Sequence, residues 1–202
     1  MRLLLLILCF SIINQFNISG QELATGEVID RVLCKSDSSH SYSLYLPSSY
    51  SKDKKWPVIF IYHAAGYGNE SVEQFWEAAE KFGYIVIGSY NFSNGPMPKA
   101  AEAARVLFEE VPKRFSVDEQ RYFTSGISGG ARMASSMAVN IPNVRGVIAS
   151  AAGFNSAIQP NKGDNYIYVS VMGKSDFNYA ELQYTHNRLD DLNIQNHMLS
   201  FE

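Results

Sequence analysis

Pro57-Val-Ile-Phe-Ile-Tyr62 is a continuous apolar run of strand length with no polar alternation. A strand with one wet face alternates apolar and polar residues, so this run suits a strand buried on both faces. The stretches that follow repeat that demand. From Glu70 to Phe82, Val72, Phe75, Trp76, Ala79 and Phe82 fall at helical spacing. Tyr84–Ser89 is a second short apolar run. Lys99–Phe115 is helical, with Ala103, Ala104, Leu107, Phe108 and Val111 as its stripe, and Pro112 is expected to end or bend it. Arg121–Ser125 reads as a strand, and Gly129–Asn140 as a helix closed by Pro142. Val144–Ala151 and Tyr166–Met172 are strands, Tyr179–Asn193 a helix, and His197–Phe201 one more strand. This alternation predicts an α/β fold, a mostly parallel sheet with helices on both faces. Glu27–Cys34 and Tyr42–Leu46 have no helix between them and predict an antiparallel start.

A chain of 202 residues holds one domain with one sizeable core. Its formal net charge of −3 is spread along the sequence, and no basic stripe interleaved with aromatics is present, which argues against a nucleic-acid partner. Met1-Arg2, the apolar run Leu3–Ile13 and a cleavage-site pattern at Ile18-Ser19-Gly20 before Gln21 read as a secretory signal peptide over residues 1–20. Residues 21–202 then form the domain, exported or periplasmic, with no stable membrane insertion after cleavage. Cleavage there leaves Cys34 as the one thiol, expected to be packed rather than reactive.

Ligands of such sheets bind beyond the carboxyl ends of the strands, and that rule sorts the polar residues. Gly126-Ile127-Ser128-Gly129-Gly130 is a G-x-S-x-G lying directly between a strand and a helix. In that setting the motif makes a sharp turn that projects the serine hydroxyl from the sheet edge, with a free helix N-terminus behind it. Ser128 is therefore the candidate nucleophile, and the Gly129 N–H the candidate donor to a developing oxyanion. The second donor is expected from the loop His63-Ala64-Ala65-Gly66 after PVIFIY, at the Ala65 N–H, with His63 shaping the loop rather than moving protons.

The stretch Phe115–Ala134 (FSVDEQRYFTSGISGGARMA) resembles the extracellular esterases related to polyhydroxybutyrate depolymerases and to feruloyl and acetylxylan esterases. YSLYLPSSY, PVIFIYHAAG and VMGKSDFNY resemble them in the same order, from about Tyr42 onward. The resemblance implies an α/β-hydrolase fold and cleavage of carboxylic esters through an acyl-enzyme on a Ser–His–Asp triad. One departure is visible: the family's oxyanion loop usually begins His-Gly, and here it begins His63-Ala64.

The chain order of such a triad is serine, acid, histidine. Asp176 follows the strand Tyr166–Met172 at its carboxyl edge and is the candidate acid. Asp164 precedes that strand, at the other edge. Of the histidines after Asp176, His186 falls mid-helix, and His197 starts a strand that spans roughly 20 Å at ~3.3 Å per residue. Neither is expected to reach Ser128. The histidine is expected in a loop after the final strand, so the sequence reads as a C-terminally incomplete hydrolase, inactive or nearly so as it stands. The alternative is a non-catalytic binding protein on the same fold. Tyr67, Phe92, Phe154 and Phe177 sit in loops at the carboxyl edge and are candidate substrate contacts. No metal-ligand spacing or phosphate loop occurs, so no metal or cofactor is expected.

Overall fold

The computed structural model describes residues 23–202; the expected signal segment, residues 1–20, lies outside the described residues. The elements are β1 (Val28–Leu33), β2 (Ser41–Tyr45), β3 (Trp56–His63), α1 (Gly68–Glu73), α2 (Trp76–Phe82), β4 (Ile85–Ser89), α3 (Met97–Arg114), β5 (Val117–Ile127), α4 (Gly129–Asn140), β6 (Val144–Ser150), β7 (Ile167–Gly173), α5 (Tyr179–Asp191) and β8 (Asn196–Phe201). The strands form one eight-stranded sheet in the order β1-β2-β4-β3-β5-β6-β7-β8. β1 pairs antiparallel with β2, and β2 with β4. Every later pairing is parallel.

The PVIFIY run occupies β3, near the middle of the sheet, where every residue but His63 is buried. Period-two alternation then feeds both faces. Val58, Phe60 and Tyr62 enter the larger core with the buried residues of α3, α4 and α5. Phe60 stacks on Phe108 of α3 with ring centroids 4.0 Å apart. Ile59 and Ile61 enter a smaller core with Val72 and Ala79. Helices thus cover both faces. The smaller core ends early: toward the β8 edge, Ile167, Leu199 and Phe201 stay exposed on the α1 side. Cys34 is buried, and burial pushes its thiol up to about 12.

Three expectations differ from the structure. The helix expected over Glu70–Phe82 is two short helices broken at Gln74-Phe75, where the Phe75 N–H bonds three residues back to the Val72 carbonyl at 2.9 Å. The break turns Trp76 and Phe82 outward while Val72 and Ala79 stay buried. Pro112 does not end α3, which runs on to Arg114. Proline removes one N–H and crowds the carbonyl four residues back; with only Lys113 and Arg114 beyond it, the helix survives. β5 starts at Val117, earlier than Arg121, because Asp118, Glu119 and Gln120 carry no apolar signal yet sit in an irregular excursion of the strand.

Candidate functional site

At the carboxyl edge two non-glycine residues have positive φ, Ser128 in the turn between β5 and α4 and Ala151 after β6. Ser128 has φ 56° and ψ −119°, a region that L residues adopt at a cost of order 1–3 kcal/mol. Packing on both sides holds it there. A Cβ on Gly126 would come within 2.4 Å of the Gly130 backbone, and a Cβ on Gly130 within 1.8 Å of the Tyr62 carbonyl oxygen. Glycine at both positions lets α4 lie directly on β5 and β3. The Ser128 N–H donates to the Ser150 carbonyl at 2.8 Å, which ties the turn to the end of β6. Gly129 opens α4, and the first N–H groups of a helix have no intrahelical acceptor.

The loop after β3 differs from expectation at one atom. The Ala65 N–H donates to Nδ1 of His63 at 3.1 Å, so it is not free to face an oxyanion. His63 stacks on Tyr67, with ring centroids 4.8 Å apart. An acceptor Nδ1 places the proton of the neutral ring on Nε2. The loop also leans on the one after β4: Asn94 N–H donates to the Ala64 carbonyl at 2.8 Å. Gly66, at φ 76°, passes so near that a Cβ would meet the Tyr90 and Phe92 carbonyl oxygens at 3.1 and 3.3 Å.

Asp176 lies in the β7–α5 loop, at the same edge as Ser128. Its Oδ1 accepts the Asn178 N–H at 2.8 Å, and its carbonyl accepts the Tyr179 N–H at 3.0 Å. These bonds fix the start of α5. Asn178 Nδ2 donates to the Ala151 carbonyl at 2.9 Å, which links the loop to the end of β6. Two residues not singled out from sequence reinforce that link. Arg132, one turn after Ser128 on α4, meets Glu181 of α5 at 2.6 Å, and the other Glu181 oxygen accepts the Gly153 N–H at 3.0 Å. Their spacing of 49 residues hides this pairing from any local motif.

The four candidate aromatics separate into two pairs. Phe92 is 2% exposed and packs edge-on to Tyr62; Phe154 is 7% exposed and stacks on Tyr168. Both belong to the larger core and offer little surface to a ligand, because the loops carrying them fold back over the sheet. Tyr67 and Phe177 are exposed. A cavity of about 270 Å³ beside the turn is lined instead by His63, Gln74, Phe75, Ile127, Ser150 and Val171 among others.

No histidine among the described residues hydrogen-bonds Ser128: His40 pairs with Asp37, and His186 with Ser170 and Asn196. His197 stands in β8 opposite Val169, three strands from β5. Among the described residues, no group of three or more His, Cys, Asp and Glu could hold a metal ion, and no helix is long and apolar enough to cross a membrane.

No family model matches the chain, and no curated protein matches it. Solved structures do. An S-formylglutathione hydrolase from Staphylococcus aureus superposes with a TM-score of 0.68 at 13% identity, over 90% of this chain and 91% of that one. A ferulic acid esterase gives 0.64 at 14%, over 87% and 89%. A thermostable esterase gives 0.63 at 14% identity, with 85% of this chain spanning 55% of that protein. At such identities the likeness is one of fold, and it agrees with the strand order and the strained strand-to-helix turn: the chain has the α/β-hydrolase fold.

Proposed function

We propose that the protein is an exported serine hydrolase of carboxylic esters that works through an acyl-enzyme on Ser128. The observation that carries this reading is the φ of 56° at Ser128, in a turn where two glycines let helix and strand touch. Ala151, at φ 58°, shares the positive φ at this edge, but Ser128 alone of the two joins it to a hydroxyl and a helix N-terminus directly behind it. The three proteins named above are an S-formylglutathione hydrolase and two esterases, and cleavage of an ester-type bond is the chemistry their names share.

In this reading Ser128 Oγ attacks the acyl carbon and its proton passes to an imidazole base. The carbonyl electron pair collects on oxygen, facing the Gly129 N–H. Collapse expels the alcohol, which takes the proton from the imidazolium. Water then releases the acid by the same steps. Asp176 keeps Oδ2 to orient the imidazole, since Oδ1 is engaged by Asn178. A histidine placed beyond β8 would stand beside this loop, because Phe201 pairs with Gly173 and its carbonyl accepts the Lys174 N–H at 2.8 Å. Tyr67 and Phe177 are the exposed aromatics left to meet an acyl or aryl group. The resemblance to depolymerases and feruloyl esterases supports plant-wall esters or polyester oligomers as the substrate class. The N-terminal pattern supports export.

Fluorophosphonate labelling of the full-length gene product tests the assignment. We expect one label, lost in Ser128→Ala, with ester turnover falling by ~10⁴–10⁶. Label persisting in Ser128→Ala sinks the nucleophile. The second reading, a binding protein on a hydrolase fold, rests on the lack of a histidine bonded to Ser128 among the described residues. It is favoured if the full-length product neither labels nor turns over any ester.

A further inference from the structure

If Ser128 is the nucleophile, its oxyanion needs more than one donor, and the Ala65 N–H is committed to His63. A different polar group occupies the space beside Gly129. A Cβ built on Gly129 would lie 1.7 Å from Asn94 Oδ1, 2.8 Å from its Cγ and 3.3 Å from its Nδ2. The Asn94 carboxamide therefore rests on the Gly129 Cα, next to the N–H that is the first donor. A side chain at position 129 would displace the carboxamide. The Asn94 main chain is anchored, with its N–H on the Ala64 carbonyl at 2.8 Å, while its side chain makes no hydrogen bond among the described residues.

We propose that Asn94 is a catalytic residue of the hydrolysis inferred above, with Nδ2 serving as the side-chain donor to the oxyanion in place of the Ala65 N–H. The proposal rests on the reading of Ser128 as nucleophile. As the bond from Ser128 Oγ to the acyl carbon forms and the proton leaves to the imidazole base, the electron pair of the carbonyl moves onto its oxygen. That oxygen is then held between Gly129 N–H and Asn94 Nδ2–H. A carboxamide donates without carrying charge; Oδ1 is its atom nearer Gly129 here, and rotation of this exposed side chain about Cβ–Cγ exchanges Oδ1 and Nδ2. Its anchoring through Ala64 couples it to the β3 loop, so the two loops set the donor together.

The test uses the full-length gene product with a p-nitrophenyl ester and a fluorophosphonate probe. Labelling of the wild type at Ser128 establishes the underlying reading; its absence removes that reading and this proposal with it. With Ser128 labelled, Asn94→Ala is expected to lower kcat by ~10²–10³ with KM changed less than about threefold. The labelling rate should fall in parallel, since the phosphoryl oxygen uses the same donors, and the melting temperature should hold. Asn94→Asp has the same shape but no donor, so it is expected not to restore turnover, and it serves if Asn94→Ala folds poorly. Turnover of Asn94→Ala within about threefold of wild type, or recovery in Asn94→Asp, overturns the proposal while leaving the role of Ser128 intact.

Discussion

Ser170 Oγ lies 2.7 Å from Nε2 of His186, a buried serine–histidine pair that is not the one expected at the sheet edge. Both residues are buried, Ser170 on β7 and His186 on the inner face of α5. Nδ1 of His186 contacts Asn196 Oδ1, and Asn196 Nδ2 reaches Asp190 at 2.7 Å. With Asn196 as acceptor, Nδ1 carries the proton and Nε2 accepts from Ser170, so every group in the chain is satisfied. The network joins α5, β7 and the first residue of the edge strand β8.

Its role is then structural, and His186→Ala distinguishes it from a catalytic one. The substitution leaves the Ser170 hydroxyl unpaired in the core, which costs about 2–3 kcal/mol. A melting temperature lower by roughly 4–12 °C is expected for a chain of this size. Labelling of Ser128 at temperatures below the transition should be unchanged. Loss of labelling with an unaltered melt would point to His186 taking part in the reaction.

Gly130→Ala probes the packing that creates the turn. The added Cβ would meet backbone atoms of Tyr62, 1.8 Å from its oxygen and 2.5 Å from its carbon, and backbone cannot swing aside as a side chain can. We expect a loss of at least ~3 kcal/mol, read as a shift of the urea midpoint. The same change at Gly95, where a Cβ meets nothing within 4 Å, should shift the midpoint little. Equal effects at the two sites would contradict the packing argument.

Glu110 sets an acid limit to stability. Burial raises its carboxyl, but the N–H groups of Lys35 and Ser36, the Ser36 hydroxyl and Arg114 outweigh that and hold it below the usual range. A depressed carboxylate contributes stability that is full above the unfolded value, ~4.3 for glutamate, and lost as pH falls through the folded one. Glu110→Gln should lower stability by about 1.5–3 kcal/mol at pH 7 and flatten the decline below pH ~4.3. An unchanged acid branch in denaturant titrations would remove Glu110 from the account.

Much of the fold is legible in the sequence because the large terms are local. PVIFIY has no polar face to leave wet, so it had to lie inside a sheet covered on both sides. The G-x-S-x-G between a strand and a helix likewise marks the Ser128 turn by residue type and order. Element ends were less legible. Asp118-Glu119-Gln120 join β5 through an irregular pairing that no periodicity announces, and the break at Gln74-Phe75 depends on what the two helices pack against. At the site, Asn94 escaped notice because an asparagine in a loop is ordinary turn chemistry until Gly129 is placed beneath it.

By itself, the sequence determined a mostly parallel α/β sheet and the position of its sharpest turn, since both follow from side-chain periodicity and glycine spacing within a few residues. Only the tertiary structure decided what surrounds that turn. It turned the Ala65 N–H onto His63, withdrew Phe92 and Phe154 into the core, brought Arg132 to Glu181 and laid Asn94 on Gly129. Each depends on distances of a few ångströms between loops remote in sequence, set by how the strands order across the sheet rather than by any single segment.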